Sequence, residues 1–181
     1  MNIFYLKFAK NMKNIFLIGM PSSGKSTLGR QLARSLGYQF VDMDDLIVNQ
    51  EISTISEIFK YKGEDYFRKI ESKILKNIKP NQKLLVATGG GVPCFFDNMD
   101  FIKANGISIF LNVQPEDLLK RIQKSEGNNR PLIDKKKSNE LLLSELQERY
   151  ENRLKFYEQA DIQVDGGVEI EQILWLLEEI N

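Results

Sequence analysis

Short apolar runs alternate with longer amphipathic stretches along most of the chain. Runs that are apolar throughout are typical of strands buried in a sheet, and they predict five strands, at residues 15–18, 40–41, 84–87, 107–111 and 162–164. The stretches between them repeat apolar residues at helical spacing, which predicts helices at residues 25–36, 55–59 continuing through 64–78, 98–105, 115–124, 138–159 and from 169 onward. This alternation indicates an α/β fold, in which a parallel sheet carries helices on both faces and binds ligands at the carboxyl ends of its strands.

The length of 181 residues predicts one domain, which we place at residues 13–181. Residues 1–12 mix apolar and basic side chains but lack the long apolar core of a secretory signal, so we expect an N-terminal extension, either disordered or a misassigned start. The polar stretch KSEGNNRPLIDKKK is loop-like and long enough to move. We therefore expect a lid at about residues 124–137.

The formal charges balance, with 25 Lys and Arg residues against 25 Asp and Glu residues. Because no net charge is left to attract nucleic acid or an anionic membrane, we expect neither partner, and any phosphate recognition must be local. The single cysteine excludes an internal disulfide, and the lack of histidine excludes the usual zinc clusters and histidine-based catalytic triads. No apolar run approaches the roughly 20 residues of a membrane span, so we expect a reducing, aqueous compartment, most simply the cytoplasm.

The strongest motif is GMPSSGKST at residues 19–27, between the first predicted strand and the first predicted helix. It fits the pattern G-x-x-x-x-G-K-[ST] in the required context, and a plain turn before a helix is the weaker interpretation. Its glycines let successive N–H groups point inward, and the helix N-terminus adds partial positive charge. We expect Lys25 to bind the β- and γ-phosphates and the Ser26 hydroxyl to ligate Mg²⁺. The expected nucleotide contacts are Gly19, Ser22, Ser23, Gly24, Lys25, Ser26 and Thr27.

Acidic residues follow the second predicted strand in the run FVDMDD at residues 40–45. If the alternation of the strand continues, Asp42 and Asp44 leave the sheet on the same side, beside the phosphate loop. The strand at 84–87 ends without a carboxylate, so we expect Asp42 to hold Mg²⁺ through water. Asp44 is expected to face an acceptor hydroxyl and to take its proton. For Asp45 we expect a cap on the helix that begins near Leu46.

Three glycines at residues 89–91 follow the third predicted strand, in the run TGGGVP. Their bare N–H groups permit close approach of a ligand, but a flexible turn explains the run equally well.

The arginines give weaker signals than the motifs. Arg68 stands alone on a predicted helix, and a lone surface arginine is usually just solvated. Arg149 and Arg153 lie four residues apart on one helix face, for which spacing alone favours salt bridges to Glu145 or Glu148.

Together these motifs resemble those of the shikimate kinase family, in a specific order and over nearly the whole chain from Lys13. They are GMPSSGKST (19–27), VDMDDLI (41–47), EDYFRKIES (64–72), TGGGVP (88–93), NRPL (129–132) and ENRLKFYEQAD (151–161). The resemblance implies a three-layer P-loop fold of the nucleoside-monophosphate-kinase type, with a five-stranded parallel sheet and a mobile lid. It also implies a monomer.

The family uses Mg-ATP to phosphorylate the 3-hydroxyl of shikimate, a step toward chorismate and the aromatic amino acids. The resemblance implies that Asp44 binds the acceptor hydroxyls and acts as the base, while Asp42 lies near Mg²⁺. It implies that Arg130 on the lid reaches the phosphates and is catalytic together with Lys25 and Asp44. A guanidinium fork matches a carboxylate with two hydrogen bonds, which suits the implied shikimate contacts. These contacts are Asp44, Arg68, Gly89, Gly90, Gly91 and Arg153.

The chain departs from the family pattern just before the lid. Family members commonly carry an arginine there that stacks on adenine, whereas this chain reads KRIQK at residues 120–124. We expect Lys124 to cover the adenine, with Arg121 as its substitute, although a lysine covers a purine less well than a planar arginine. Residues 161–167 are expected to close the adenine pocket.

Two other functions fit parts of this pattern. Gluconate kinases share the fold and phosphate loop, so a different carboxylated polyol is the alternative acceptor. The combination of Asp44, Arg68, TGGG and Arg153 favours shikimate. A nucleotide-binding regulatory domain without turnover is the second alternative, but such a domain need keep only the phosphate loop. Cys94 has no evident base nearby in sequence, so we do not expect a nucleophile there.

Overall fold

The computed structural model describes residues 13–124 and 137–180 of the chain. The predicted extension at residues 1–12 lies outside the described residues, as do Arg130 and nearly all of the predicted lid. Within the described ranges, no helix combines the length and apolar character needed to cross a membrane.

Five strands form one sheet, and each neighbouring pair is parallel. The prediction of a five-stranded parallel sheet is confirmed, and each strand exceeds its apolar run by at most one residue at either end. The added residues are polar or glycine, because backbone pairing continues past the point where the apolar pattern stops. The strands are β1 (Asn14–Ile18), β2 (Gln39–Asp42), β3 (Leu84–Ala87), β4 (Gly106–Asn112) and β5 (Ile162–Asp165), in the order β2-β3-β1-β4-β5.

Helices connect the strands and give the molecule three layers, as predicted. Because β1 lies at the centre of the sheet, all five of its residues are buried, which explains its continuous apolar run. A short 3-10 helix, Val92–Cys94, follows the triple glycine. The α-helices of the described residues are α1 (Lys25–Leu36), α2 (Met43–Glu51), α3 (Ile55–Lys76), α4 (Asn98–Asn105), α5 (Pro115–Lys124), α6 (Asn139–Tyr157) and α7 (Ile170–Glu179).

The acidic run after β2 folds differently from the prediction. Helix α2 begins at Met43 rather than near Leu46, and its N-cap is Asp42, whose carboxylate accepts a hydrogen bond from the Asp44 N–H. The prediction that Asp45 caps this helix is wrong. Asp42 is the last strand residue, with extended backbone, and from that position its side chain reaches the N–H two residues on.

Helix α3 is broken at Gly63, whereas the sequence pattern predicted that the helix continues from residue 59 through residue 64. Gly63 has φ 78° and ψ 172°, a conformation outside the helical region that is open essentially only to glycine. The second part of α3, from Glu64, is therefore set at its own angle, and it carries Arg68 to the glycines that follow β3.

The register of the sheet brings three loops to one edge. Ala87 at the end of β3 is aligned with Leu17 of β1 on one side and with Asp42 of β2 on the other. The segments that follow β1, β2 and β3 consequently start side by side at the carboxyl edge, where parallel α/β sheets bind ligands.

Candidate active site

Residues 19–24 form the phosphate loop between β1 and α1. Gly19 has φ 137° and Gly24 has φ 103°, and a Cβ on Gly19 would lie 2.7 Å from the Leu111 carbonyl oxygen. Gly24 is the N-cap of α1, and within the described chain no side chain caps this end and no acidic residue occupies the first turn. The first N–H groups of the helix, with their partial positive charge, are thus arranged to receive an anion.

The Lys25 ammonium lies within this loop. Its side chain is buried, and Nζ donates to the carbonyl oxygens of Gly19 at 3.0 Å and Met20 at 2.7 Å and to the Ser23 hydroxyl at 3.3 Å. Carbonyl and hydroxyl oxygens hold the ammonium beside the start of α1, where the oxygens of a bound phosphate can take their place.

Ser26 and Asp42 meet across two elements. The Ser26 hydroxyl on α1 donates to Asp42 Oδ2 at the end of β2 over 2.6 Å. The described residues contain no cluster of three or more acidic, cysteine or histidine side chains that could bind a metal by themselves. Magnesium in nucleotide sites instead takes one or two carboxylates and completes its shell with phosphate oxygens and water, so this pair fits it.

Asp44 occupies a different position from the one predicted. The expectation that alternation along the strand carries Asp42 and Asp44 to the same side is wrong, because β2 ends at Asp42 and Asp44 lies in the first turn of α2. The first turn of α2 nevertheless places Asp44 beside Gly89, in the segment that follows β3. A Cβ on Gly89 would lie 3.5 Å from Asp44 Oδ1, and the Asp44 charge contributes to a raised pKa at Glu71.

Arg68 is not the solvated surface arginine that its isolated position in the sequence suggested. It is 4% exposed, its Nη1 donates to Glu71 over 2.6 Å, and its Nη2 donates to Glu64 over 2.6 Å. The guanidinium also lies 4.6 Å from the centre of the Phe95 ring. Two carboxylates and an aromatic ring thus fix the guanidinium inside the protein.

The triple glycine packs against three parts of the site. A Cβ on Gly89 would lie 2.4 Å from Glu71 Oε1, one on Gly90 would lie 2.6 Å from Pro21 Cδ, and one on Gly91 would lie 2.4 Å from Arg68 Nη1. At Gly90 a side chain would meet the Pro21 ring and backbone, whereas at Gly89 and Gly91 it would have to displace the ends of the Glu71 and Arg68 side chains. The loop holds the phosphate loop and Arg68 together, which neither a flexible turn nor ligand access alone explains.

Arg153 lies on α6 and is buried with an unsatisfied donor. Its Nη1 has no hydrogen-bond partner within the described residues, and Glu145, one of the two glutamates favoured by spacing, pairs with Lys137. The salt-bridge interpretation is therefore wrong for Arg153. Arg149, one turn earlier, is half-buried, and burial followed by the charge of Arg153 lowers its pKa. A buried guanidinium with a vacant donor is suited to an anionic group of a ligand.

Tyr157 is a site residue that the sequence analysis missed. Its hydroxyl donates to the Gly90 carbonyl oxygen over 2.5 Å and lies 3.8 Å from the Met20 sulfur of the phosphate loop. Its ring packs on Phe110 at 5.0 Å, and burial raises the pKa of the phenol, so it stays protonated as a donor. The available signal was its spacing, since Tyr157 follows Arg153 by four residues on one helix.

Glu71 was also missed. It is 2% exposed, and burial, opposed by Arg68, raises the pKa of its carboxyl to about 7. The available signal was its position three residues after Arg68 on the same helix, but the sequence does not reveal that both groups are buried.

Of the two candidates for the adenine, the structure brings Arg121 to the phosphate loop. Arg121 Nη1 donates to the Ser23 carbonyl oxygen, and a Cβ on Gly166, just after β5, would lie 3.0 Å from Nη2. Lys124 is exposed at the end of the same helix. Arg121 therefore joins the phosphate loop to the segment at 161–167.

Cys94 lies at the end of the short helix after the triple glycine. Burial raises the pKa of its thiol to about 11, so it is protonated at neutral pH. A protonated thiol is a poor nucleophile, in agreement with the expectation for this residue.

Comparisons with known proteins agree with this geometry. The family model described as shikimate kinase matches residues 21–178. The chain is 46% identical over 149 residues to a shikimate kinase of Clostridium botulinum, an alignment that covers 82% of this chain and 85% of the relative. A shikimate kinase of Bacteroides thetaiotaomicron superposes with a TM-score of 0.83 at 34% identity, covering 93% of this chain and 97% of that one. A shikimate kinase of Acinetobacter baumannii in complex with shikimate superposes with a TM-score of 0.86 at 30% identity, covering 97% and 98%.

Proposed function

The chain belongs to the shikimate kinase family, and we propose that it transfers the γ-phosphate of ATP to the 3-hydroxyl of shikimate. The products are shikimate 3-phosphate and ADP, in a step toward chorismate and the aromatic amino acids. The observation that carries the proposal is that the triple glycine packs against both the phosphate loop and the buried Arg68, while the charge of the buried Arg153 acts on the neighbouring Glu71 and Cys94. An anion site next to buried cations suits a nucleotide and a small carboxylated acceptor.

ATP binds along the phosphate loop in this proposal. The residues of this loop receive the phosphates, with backbone N–H groups at the start of α1 and the Lys25 ammonium as donors. Arg121 is proposed to cover the adenine in preference to Lys124, because Arg121 already contacts the loop and its guanidinium is planar. Arg130 and the lid are proposed to reach the phosphates when the site closes.

Mg²⁺ is the metal that we propose for Ser26 and Asp42. When bound, it would neutralise charge on the β- and γ-phosphates. Ser26 would offer its hydroxyl oxygen, and Asp42 its carboxylate, directly or through water. Because Asp42 also caps α2, the same side chain would fix the start of the helix that carries Asp44.

Shikimate binds on the other side of the triple glycine in this proposal. Arg153 would take one edge of the acceptor carboxylate with its vacant Nη1, and Arg68 and the Gly90 backbone would take the other. Asp44 would then accept the proton of the 3-hydroxyl as that oxygen attacks the γ-phosphate. Two guanidinium groups on one carboxylate would also fix the orientation of the ring.

The test is ADP release with Mg-ATP and shikimate, gluconate or no acceptor, measured in parallel. We expect release that depends on shikimate. ADP release with gluconate alone would be consistent with the phosphate-loop assignment but would contradict shikimate as the acceptor. If folded protein that binds ATP releases no ADP in response to either acceptor, the proposed kinase activity is wrong.

Asp44→Asn assigns the base in the same assay. We expect kcat to fall by about 10²-fold or more, because the amide cannot take the proton, while shikimate still binds. Asp45→Asn is the matched control, since Asp45 is the exposed neighbour in the same turn and should keep the parent rate. Equal rates for both variants would contradict the role of Asp44.

A further inference from the structure

Glu71 is a buried carboxyl group at the centre of the acceptor side of the site, and the proposed mechanism does not use it. It lies on α3, one turn after Arg68, and its Oε1 occupies the space that a Cβ on Gly89 would fill. Its Oε2 accepts the hydrogen bond from Arg68 Nη1 at 2.6 Å. Glu71 is therefore both packed against the triple glycine and dependent on Arg68 for its counter-charge.

Arg68 divides its guanidinium between two carboxylates in different surroundings. The side chain of Glu64 is 47% exposed and that of Glu71 is 2% exposed. If Arg68 turns toward a third carboxylate, Glu64 can exchange its partner for water. Glu71 cannot, and an ionised carboxylate without a partner or water is costly in a protein interior.

Charged and titratable groups face Glu71 from every element around it. Arg68 on its own helix and Arg153 on α6 favour its ionised form, whereas Asp44 on α2 opposes it, and Cys94 lies within electrostatic range. With burial as the largest effect, the pKa of Glu71 rises to about 7. The balance between the two forms is thus close at neutral pH, before any acceptor has bound.

We propose that Glu71 is a positioning residue that takes up a proton from solvent when the carboxylate of the acceptor binds to Arg68 and Arg153. The proposal rests on the proposed function, because shikimate supplies that carboxylate. The incoming anion draws Arg68 from Glu71 and adds a negative charge nearby. The proton adds to a Glu71 oxygen, no bond of the acceptor changes, and the arginines are left to the ligand.

Proton uptake makes acceptor affinity depend on pH. Binding strengthens as pH falls, because the bound complex contains the protonated form, and above pH 7 the affinity falls by up to about tenfold per pH unit. The acceptor's own carboxylate is ionised throughout this range, since ordinary carboxyl groups titrate near pH 4.

The test is calorimetry of shikimate binding to the whole protein without nucleotide, at pH 7.5, in two buffers of different ionisation enthalpy. The difference in heat gives the number of protons taken up, and we expect about half a proton or more per shikimate. A value of zero with normal binding would overturn the inference and leave the proposed function intact. A protein that does not bind shikimate at all would overturn both.

Two matched variants assign the proton. Glu71→Gln should bind shikimate without proton uptake and with an affinity that is flat from pH 7 to 9. Glu64→Gln, which changes the exposed partner of the same arginine, should keep the uptake. If Glu71→Gln does not fold, the pH dependence of the parent protein decides, because shikimate affinity that falls from pH 7 to pH 9 supports the inference and affinity that stays flat over this range overturns it.

Discussion

Arg68 and Arg153 are buried arginines with different partners. Arg68 has two carboxylates within 2.6 Å, whereas Arg153 keeps a buried Nη1 without a hydrogen-bond partner in the described structure. A buried donor left unsatisfied costs about 1 to 3 kcal/mol, which a folded protein retains when a ligand can use the donor. Arg153 is therefore the residue whose substitution should separate acceptor binding from protein stability.

For Arg153→Lys we expect the KM for shikimate to rise about tenfold, and for Arg153→Ala up to about a hundredfold. The lysine keeps the charge but loses the planar fork, and a hydrogen bond to a charged group contributes about 1.5 to 3 kcal/mol. Steady-state kinetics at saturating ATP measures both values.

Lys155→Ala is the control for these variants. It removes a cation from the exposed side of the same helix, so the KM for shikimate should not change. An equal rise in the control would show that net charge, rather than contact with the carboxylate, sets the affinity.

At the scale of elements, α6 connects the two halves of the site. Arg153 and Tyr157 lie on the same face of this helix, and Tyr157 bonds the Gly90 carbonyl oxygen and approaches Met20 of the phosphate loop. Gly90 in turn packs on Pro21 of that loop. One helix thus fixes the triple glycine against the phosphate loop.

Tyr157→Phe tests this connection. Loss of the hydroxyl leaves the buried Gly90 carbonyl oxygen without its donor, so we expect a loss of about 1 to 2 kcal/mol in the free energy of unfolding. The triple glycine should also become more mobile, and the KM for shikimate should rise severalfold. Urea unfolding and steady-state kinetics measure the two effects.

Tyr150→Phe separates stability from function. Tyr150 lies on the same helix, is buried, and donates to Asn112 Oδ1 over 2.8 Å at the end of β4. Its substitution should cost similar stability while the KM for shikimate stays at the parent value. A similar rise in KM in both variants would contradict a specific role for Tyr157.

At the scale of the whole molecule, patterns that repeat along the chain were predictable and contacts between distant elements were not. Continuous apolar runs identify the five strands because both faces of a parallel sheet are buried. The phosphate loop and Asp42 follow from local sequence, whereas the break at Gly63 was not predicted. The start of α2 was missed because a single capping bond decides it, and that bond needs the exact backbone at Asp42.

Burial accounts for the other misses. Arg68 was interpreted as a lone solvated arginine, and that interpretation fails because Arg68 and Glu71 are both buried against the triple glycine. The resemblance to a family predicted that Arg68 and Arg153 bind the carboxylate of the acceptor, whereas spacing alone predicted a solvated Arg68 and a salt-bridged Arg153. Helical spacing from Arg68 and Arg153 was the only sequence signal for Glu71 and Tyr157, and it does not show what these side chains contact across the fold.

Glu71 should also make the stability of the whole molecule depend on pH. An ordinary glutamate has a pKa near 4.5 and Glu71 has one of about 7, so the folded protein binds the proton more tightly than the unfolded chain. This contribution is fully present below pH 4.5 and is lost as pH rises through 7. Relative to Glu71→Gln, the parent protein should therefore lose about 2 kcal/mol of stability between pH 5 and pH 8.

Urea unfolding of both proteins at the two pH values measures this difference in the free energy of unfolding. The contributions of the other titrating groups cancel when the two proteins are compared. A difference that does not change with pH would show that Glu71 titrates alike in the folded and unfolded protein, and the burial of its charge would then have no thermodynamic consequence.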